Sequence, residues 1–210
     1  SRRADLNAVY EDAETDLILC ARGGYGTGLL LPQLDWELVL KRNIPLLGYS
    51  DITALHLGMY SKGVRSCFVS PMAAKFSETE ADEYSSGALR NALMHFYGKT
   101  GSYQFRMPDG RPTPRTIKQG EAQGPLFAVN LAVMTSLCGT PYMPDMSGAI
   151  LLIEDVGEAP HRLDRMMAQL YLCGILEKLG GLIYGQFTES GTSEEILEMI
   201  RQRYAKYVKG

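Results

Sequence analysis

Ile44-Pro45-Leu46-Leu47-Gly48-Tyr49-Ser50-Asp51-Ile52-Thr53-Ala54-Leu55 is the stretch on which the fold turns. Its first five residues form a short apolar run closed by glycine, the pattern of a buried strand. Asp51 to Tyr60 then carries helical apolar spacing up to a stop near Gly63. A strand that passes so directly into a helix has to turn sharply, and the turn leaves Ser50 at its apex.

Working outward, Leu17-Ile18-Leu19-Cys20-Ala21 repeats the strand pattern and ends at Arg22-Gly23-Gly24-Tyr25-Gly26. Gly28 to Leu31 and Trp36 to Lys41 have helix-like spacing on either side of Pro32, and Ala4 to Tyr10 reads as a helix feeding the first strand. Strand, helix, strand, helix at this spacing predicts βαβ units and a parallel sheet. Farther on, the spacing predicts a helix over Ser85–Tyr97 and then a dense run of turn formers: Gly98, Gly101, Pro108, Gly110, Pro112, Pro114 and Gly120. The last part reads as a helix over Val129–Leu137, a strand over Ala149–Ile153, a helix over Arg162–Cys173, a strand over Gly181–Tyr184 and an amphipathic helix over Ser193–Val208.

The 210 residues are 45% hydrophobic and 21% charged, as expected of a globular chain that forms one large domain or two small ones. A net charge of −3 and no Lys/Arg run longer than two residues give no footprint for nucleic acid. No apolar window of about 18 residues is present, so no membrane-spanning helix is expected, and the opening residues lack the apolar core of a signal peptide. The four cysteines are far apart and the three histidines scattered, which argues against a structural metal. Cys20 and Cys67 lie in or beside apolar stretches and suit free thiols in a reducing compartment, so the expected location is cytoplasmic.

Gly48-Tyr49-Ser50-Asp51 has the strand–turn–helix context of a nucleophile elbow, in which a serine Oγ is exposed and the next N–H helps bind an oxyanion. The G-x-S-x-G pattern is incomplete, because position 52 is Ile. A Ser or Asp ahead of a helix is equally an ordinary N-cap. Arg22-Gly23-Gly24-Tyr25-Gly26 lacks the lysine of a P-loop and the G-x-G-x-x-G of a dinucleotide fingerprint, so beside a phosphate site an oxyanion-donor loop or a plain sharp turn fits as well. Ile153-Glu154-Asp155-Val156-Gly157-Glu158 sets three carboxylates at a strand end; one could orient a catalytic histidine, and a solvated loop or a hard-cation site are the alternatives. His161-Arg162-Leu163-Asp164-Arg165 reads as a structural ion-pair cluster.

Taken together, Ala21 to Gly26, Leu30-Leu31-Pro32-Gln33-Leu34-Asp35, Pro45 to Leu55, and Leu152 to Glu158 with Asp164-Arg165-Met166 resemble the LD-carboxypeptidase family. These are serine peptidases that also include microcin C self-immunity proteins. The resemblance covers essentially the whole chain, with 75–115 poorly marked. It implies an α/β fold: a Rossmann-like parallel-sheet domain over 1–76, a connecting segment over 77–118, and a smaller α/β domain over 119–210, with the active site between them. Ser50 matches the nucleophile and Glu154 the acidic member of a Ser–His–Glu triad that uses no metal or other cofactor. The backbone N–H groups of Asp51 and of the Gly23-Gly24 turn, through Gly24, match the oxyanion hole. The implied substrate is a murein tetrapeptide, cleaved at the L,D bond to its terminal D-Ala, and family members are commonly homodimers.

The sequence departs from the family in four places. The family's catalytic histidine lies in a Gly-His motif near the C-terminus that nothing here matches, and His56 and His161 read as non-catalytic. The family's first strand–helix segment is also unmatched, so the sequence is expected to be truncated at both ends. Val69-Ser70-Pro71 stands where the family tends to have His-Gly-Pro, and Ala128-Val129-Asn130-Leu131 where it tends to have Gly-Gly-Asn-Leu; both bear on the substrate pocket. Two alternatives stand beside the murein enzyme: an immunity-type hydrolase of a peptidyl-nucleotide toxin, and a catalytically inert fragment without the triad histidine. The intact Arg22-Gly23-Gly24-Tyr25-Gly26 turn favours the murein enzyme over the immunity type.

Overall fold

The computed structural model describes residues 1–77, 83–98, 110 and 114–209. Two parallel three-stranded sheets carry the fold, with helices packed around them. The first contains β1 (Ile18–Leu19), β2 (Leu46–Gly48) and β3 (Cys67–Val69), with β2 in the centre. Helices α1 (Arg2–Glu11), α2 (Trp36–Arg42) and α3 (Thr53–Ser61) accompany it. The Asp35 side chain caps α2 by accepting from the Leu38 N–H (3.0 Å), and Asn43 closes it in a left-handed conformation (φ 45°). Because Thr53 through Met59 are all buried, α3 is an interior helix, with Thr53 and His56 as its buried polar members. Between β1 and α2 the chain forms a 3-10 segment over Thr27–Gln33 that contains Pro32.

The second sheet contains β4 (Leu126–Asn130), β5 (Ile150–Val156) and β6 (Gly181–Thr188), with β5 in the centre. It is flanked by α6 (Leu131–Ser136), α7 (Pro160–Leu172) and α8 (Ser193–Arg203), and α8 opens on a reciprocal capping box between Thr192 and Glu195. Two helices, α4 (Ala73–Ser77) and α5 (Glu83–Phe96), follow β3 in the chain. One continuous core joins both sheets, running from Leu31 and Leu57 to Leu131, Met134, Leu151 and Leu163. At the junction, the Tyr60 and Phe127 rings meet edge to face with centroids 4.6 Å apart. No helix among the described residues is long and apolar enough to cross a membrane.

The expected α/β architecture of parallel sheets is the one observed. One element differs in kind. Val129–Leu137 was expected to be a single helix, but residues up to Asn130 form strand β4, and the helix begins only at Leu131. The competing force is tertiary: Phe127 and Val129 pair with Leu151 and Ile153 of β5 and are buried against it, which outweighs local helical spacing. Strands β5 and β6 run past Ile153 and Tyr184, where the apolar pattern stops, because backbone pairing continues through Asp155–Phe187 and Val156–Thr188. Of the expected turn formers, Gly101, Pro108 and Pro112 lie outside the described residues.

Candidate functional site

The serine sits on a strained turn. Strand β2 ends at Gly48, where a Cβ would stand 3.0 Å from the Ile52 side chain and 3.2 Å from Cys20 Cβ, so only glycine lets the strand pass that close. Tyr49 is still extended (φ −151°), Ser50 is left-handed (φ 62°), and the chain coils at once through Ile52 into α3. A left-handed conformation is unfavourable for a residue with a Cβ, and here the surrounding packing imposes it. The arrangement is that of a nucleophile elbow.

The glycine turn abuts this elbow. A Cβ on Gly23 would lie 3.1 Å from both Cβ and Oγ of Ser50, which places its backbone directly against the hydroxyl. Gly24 is held at φ 131°, a conformation that a side chain would resist. The Asp51 carboxylate is buried and points back at the same turn, accepting from the Thr27 N–H (3.0 Å) and the Thr27 hydroxyl. Asp51 therefore ties the glycine turn to the elbow through its side chain, while its own N–H stands next to Ser50 in the chain.

From the other sheet comes Glu154, paired in register with Asn130. Opposite Glu154 the β5–β6 register shifts: Ile153 pairs with Tyr184 and Asp155 with Phe187, so Gly185 and Gln186 face a single residue. Such a bulge locally bends a strand and re-aims its side chains. Burial pushes the Glu154 carboxyl above its ordinary value; a hydrogen bond from Asn130 opposes the shift and the charge of Asp155 adds to it. Asp155 is buried, accepting from Asn130 Nδ2 (3.0 Å) and the Ala132 N–H (2.9 Å). Asn130 also caps α6, its Oδ1 accepting from the Val133 N–H (3.1 Å), and donates its own N–H to Thr53 Oγ1 (3.0 Å). That last bond joins the helix behind the serine to the strand beside the glutamate.

Ser50 and Glu154 line one cavity of about 570 Å³ between the sheets, together with Tyr49, Thr53, Lys75 and Asn130. The segments Val69-Ser70-Pro71 and Ala128-Val129 form part of its wall. No histidine lines it. Nε2 of His56 stands 3.2 Å from the Leu46 carbonyl in the core, and burial lowers its pKa to about 4. His161 is exposed at the start of α7, and His95 is exposed on α5. Cys20 and Cys67 are half-buried, and burial raises their thiols to about 11 and about 12, which makes them poor nucleophiles.

The acidic run after Ile153 thus divides. Glu154 faces the cavity, Asp155 belongs to the buried network, and Glu158 pairs with Arg162 (3.5 Å). Asp164 takes Arg203 (2.6 Å) and the Tyr204 hydroxyl (2.6 Å), the ion-pair cluster expected of that segment. Sequence reasoning did not single out Thr27, Thr53, Lys75 or Gln186. The one signal available was for Asn130, an Asn directly ahead of an apolar helical run.

Two parallel α/β sheets with a cavity between them, carrying a serine on a strained strand-to-helix turn, define the class of protein. The chain belongs to the LD-carboxypeptidase family, whose N-terminal domain model matches residues 1–69 and whose C-terminal domain model matches residues 123–209. It is 33% identical over 187 residues, 89% of its length, to the probable murein peptide carboxypeptidase of Bacillus subtilis. The muramoyltetrapeptide carboxypeptidase of Oxalobacter formigenes superposes with a TM-score of 0.79 at 26% identity, covering 97% of this chain and 70% of that one. An MccF-like protein from Bacillus anthracis superposes with a TM-score of 0.81 at 26% identity, covering 96% of this chain and 67% of that one. The chain spans between 56% and 68% of the length of eight curated relatives that it matches.

Proposed function

We propose that the chain acts as a serine carboxypeptidase of peptidoglycan recycling, cleaving the L,D bond to the terminal D-Ala of murein tetrapeptides. The observation that carries the proposal is the left-handed Ser50 facing the same cavity as Glu154. Ser50 Oγ attacks the scissile carbonyl carbon, and the resulting oxyanion is received by the N–H groups of Asp51 and Gly24. Collapse of the tetrahedral species breaks the C–N bond, and the leaving amine takes the proton. Water then hydrolyses the acyl-serine. The proton carrier is a histidine oriented by Glu154; His56, His95 and His161 lie elsewhere, so it is not one of them. In this reading residues 1–76 and 119–210 are the two domains, 77–118 connects them, and the protein is a cytoplasmic homodimer. The separate sheets and the two matched family models support that division.

The test is mass spectrometry of a murein tetrapeptide incubated with the protein and with its Ser50→Ala variant, each with and without added imidazole. Release of one D-Ala by the wild type only, faster with imidazole, is the expected result. Equal release by Ser50→Ala overturns the assignment. The immunity-type reading has one observation of its own: the cavity wall departs from the family pattern at Val69-Ser70-Pro71 and Ala128-Val129. An aminoacyl sulfamoyl nucleoside run in the same assay separates the two substrates.

A further inference from the structure

A carboxypeptidase removes a residue whose own carboxylate is free, and the binding cavity has to meet that charge. We propose that Lys75 does so, forming a carboxylate-binding subsite for the departing residue; this rests on the carboxypeptidase reading above. Among the described residues lining the cavity, only Lys75 and Glu154 carry formal charge. They come from different elements of the fold. Glu154 comes from β5, and Lys75 from α4, which is pinned to the end of β1 by the Ala73 N–H to the Cys20 carbonyl (3.0 Å) and the Ala74 N–H to the Ala21 carbonyl (3.1 Å).

Those two carbonyls immediately precede Arg22 and Gly23, the turn that abuts Ser50. The helix that carries Lys75 is thereby anchored to the backbone that runs into the glycine turn against Ser50. In a terminal residue the carboxylate carbon lies only three bonds beyond the scissile carbonyl carbon, so a peptide seated on Ser50 has its free carboxylate close by. Placed toward Glu154, that group would meet a like charge; placed toward Lys75, it gains a charge-assisted hydrogen bond. Val69, Pro71, Val129 and Val156 supply apolar parts of the wall around it. A lysine suits the task because its flexible stem adjusts to a carboxylate that moves as the C–N bond breaks.

Calorimetric titration of the Ser50→Ala protein, which binds without cleaving, tests this with a murein tetrapeptide and with the same peptide ending in a carboxamide. The free acid is expected to bind about tenfold tighter than the amide, the scale of one charge-assisted hydrogen bond. Adding Lys75→Met, which keeps the stem and loses the charge, should bring the two peptides within about twofold while leaving the amide's affinity in place; Lys75→Arg should keep the preference. If Lys75→Met does not fold, Lys75→Gln takes its place. Equal binding of acid and amide, or a preference that survives loss of the lysine charge, overturns the subsite and leaves the murein reading standing. Failure of Ser50→Ala to bind either peptide overturns the murein reading and the subsite with it.

Discussion

Replacing Ser50 by glycine is expected to give a more stable protein than replacing it by alanine, an order opposite to that at most positions. Both substitutions remove Oγ, so they share the loss of whatever that atom contacts, including the close approach of Gly23. They differ in the Cβ. At φ 62° a Cβ costs about 1–2 kcal/mol, which glycine does not incur. Glycine in turn frees the unfolded chain, a loss of about 0.5–1 kcal/mol. The balance favours Ser50→Gly over Ser50→Ala by about 0.5–1 kcal/mol, which for a chain of this size is a difference of about 1–4 °C in Tm. Urea unfolding at pH 7 measures it directly, with equal m-values as the condition for comparing midpoints. At an ordinary helical site such as Ala54, alanine to glycine is expected to cost about 1 kcal/mol and serves as the reference. If Ser50→Gly proves less stable than Ser50→Ala by a similar amount, the turn is unstrained and the elbow argument fails.

Two neighbouring glycines should separate chemistry from stability. Gly23→Ala puts a methyl 3.1 Å from Ser50 Oγ and should lower D-Ala release at least tenfold with little change in Tm, whereas Gly24→Ala meets no atom within 4 Å but forces φ 131° on a side chain, so it should lower Tm by about 2–4 °C; the reverse pattern in paired activity and melting measurements would refute the placement. His56 supplies a pH dependence. Its pKa falls from an ordinary 6.5 to about 4 in the fold, so the unfolded chain binds the proton first and stability is lost as pH drops through that window. Measured as a difference from a non-titrating His56→Gln variant, the loss should be about 2 kcal/mol by pH 5 and about 3 kcal/mol by pH 4. Parallel urea-stability curves for the two proteins would show that His56 does not titrate as a buried neutral ring.

What the sequence disclosed about this site was whatever is settled within a few residues. The elbow was legible because an apolar strand, a glycine and a helical run adjoin Ser50 directly, so the sharp turn follows from chain connectivity alone. The glycine turn was legible for the same reason. Strand β4 was not, because what makes Phe127-Ala128-Val129 a strand is its pairing with Leu151-Leu152-Ile153, and local spacing carries no record of a partner beyond the intervening helix. The reach of Asn130 to Thr53, across 77 residues, is hidden in the same way. Glu154 was visible as an acid at a strand end, but the register shift that sets two β6 residues against it is a property of the sheet. Lys75 fell at the edge of the segment least marked by any motif, and it joins the site only because α4 docks on the end of β1.

Two of the departures expected from the resemblance meet in the fold. Val69-Ser70-Pro71 and Ala128-Val129 come from different strands in different sheets, yet both line the cavity that holds Ser50. The surroundings of Ser50, Gly23 against its side chain and Asp51 on Thr27, are instead made of close backbone approach and buried polar bonds. Changes of wall at constant turn geometry alter which substrate fits while leaving the surroundings of Ser50 in place, since discrimination comes from pocket contacts and the chemistry from preorganised donors. Substrate choice in this protein should therefore be sought first at residues 69–71 and 128–129. Restoring the family pattern there, with Val69→His, Ser70→Gly, Ala128→Gly and Val129→Gly together, is the change that would reveal whether the wall or the elbow sets it.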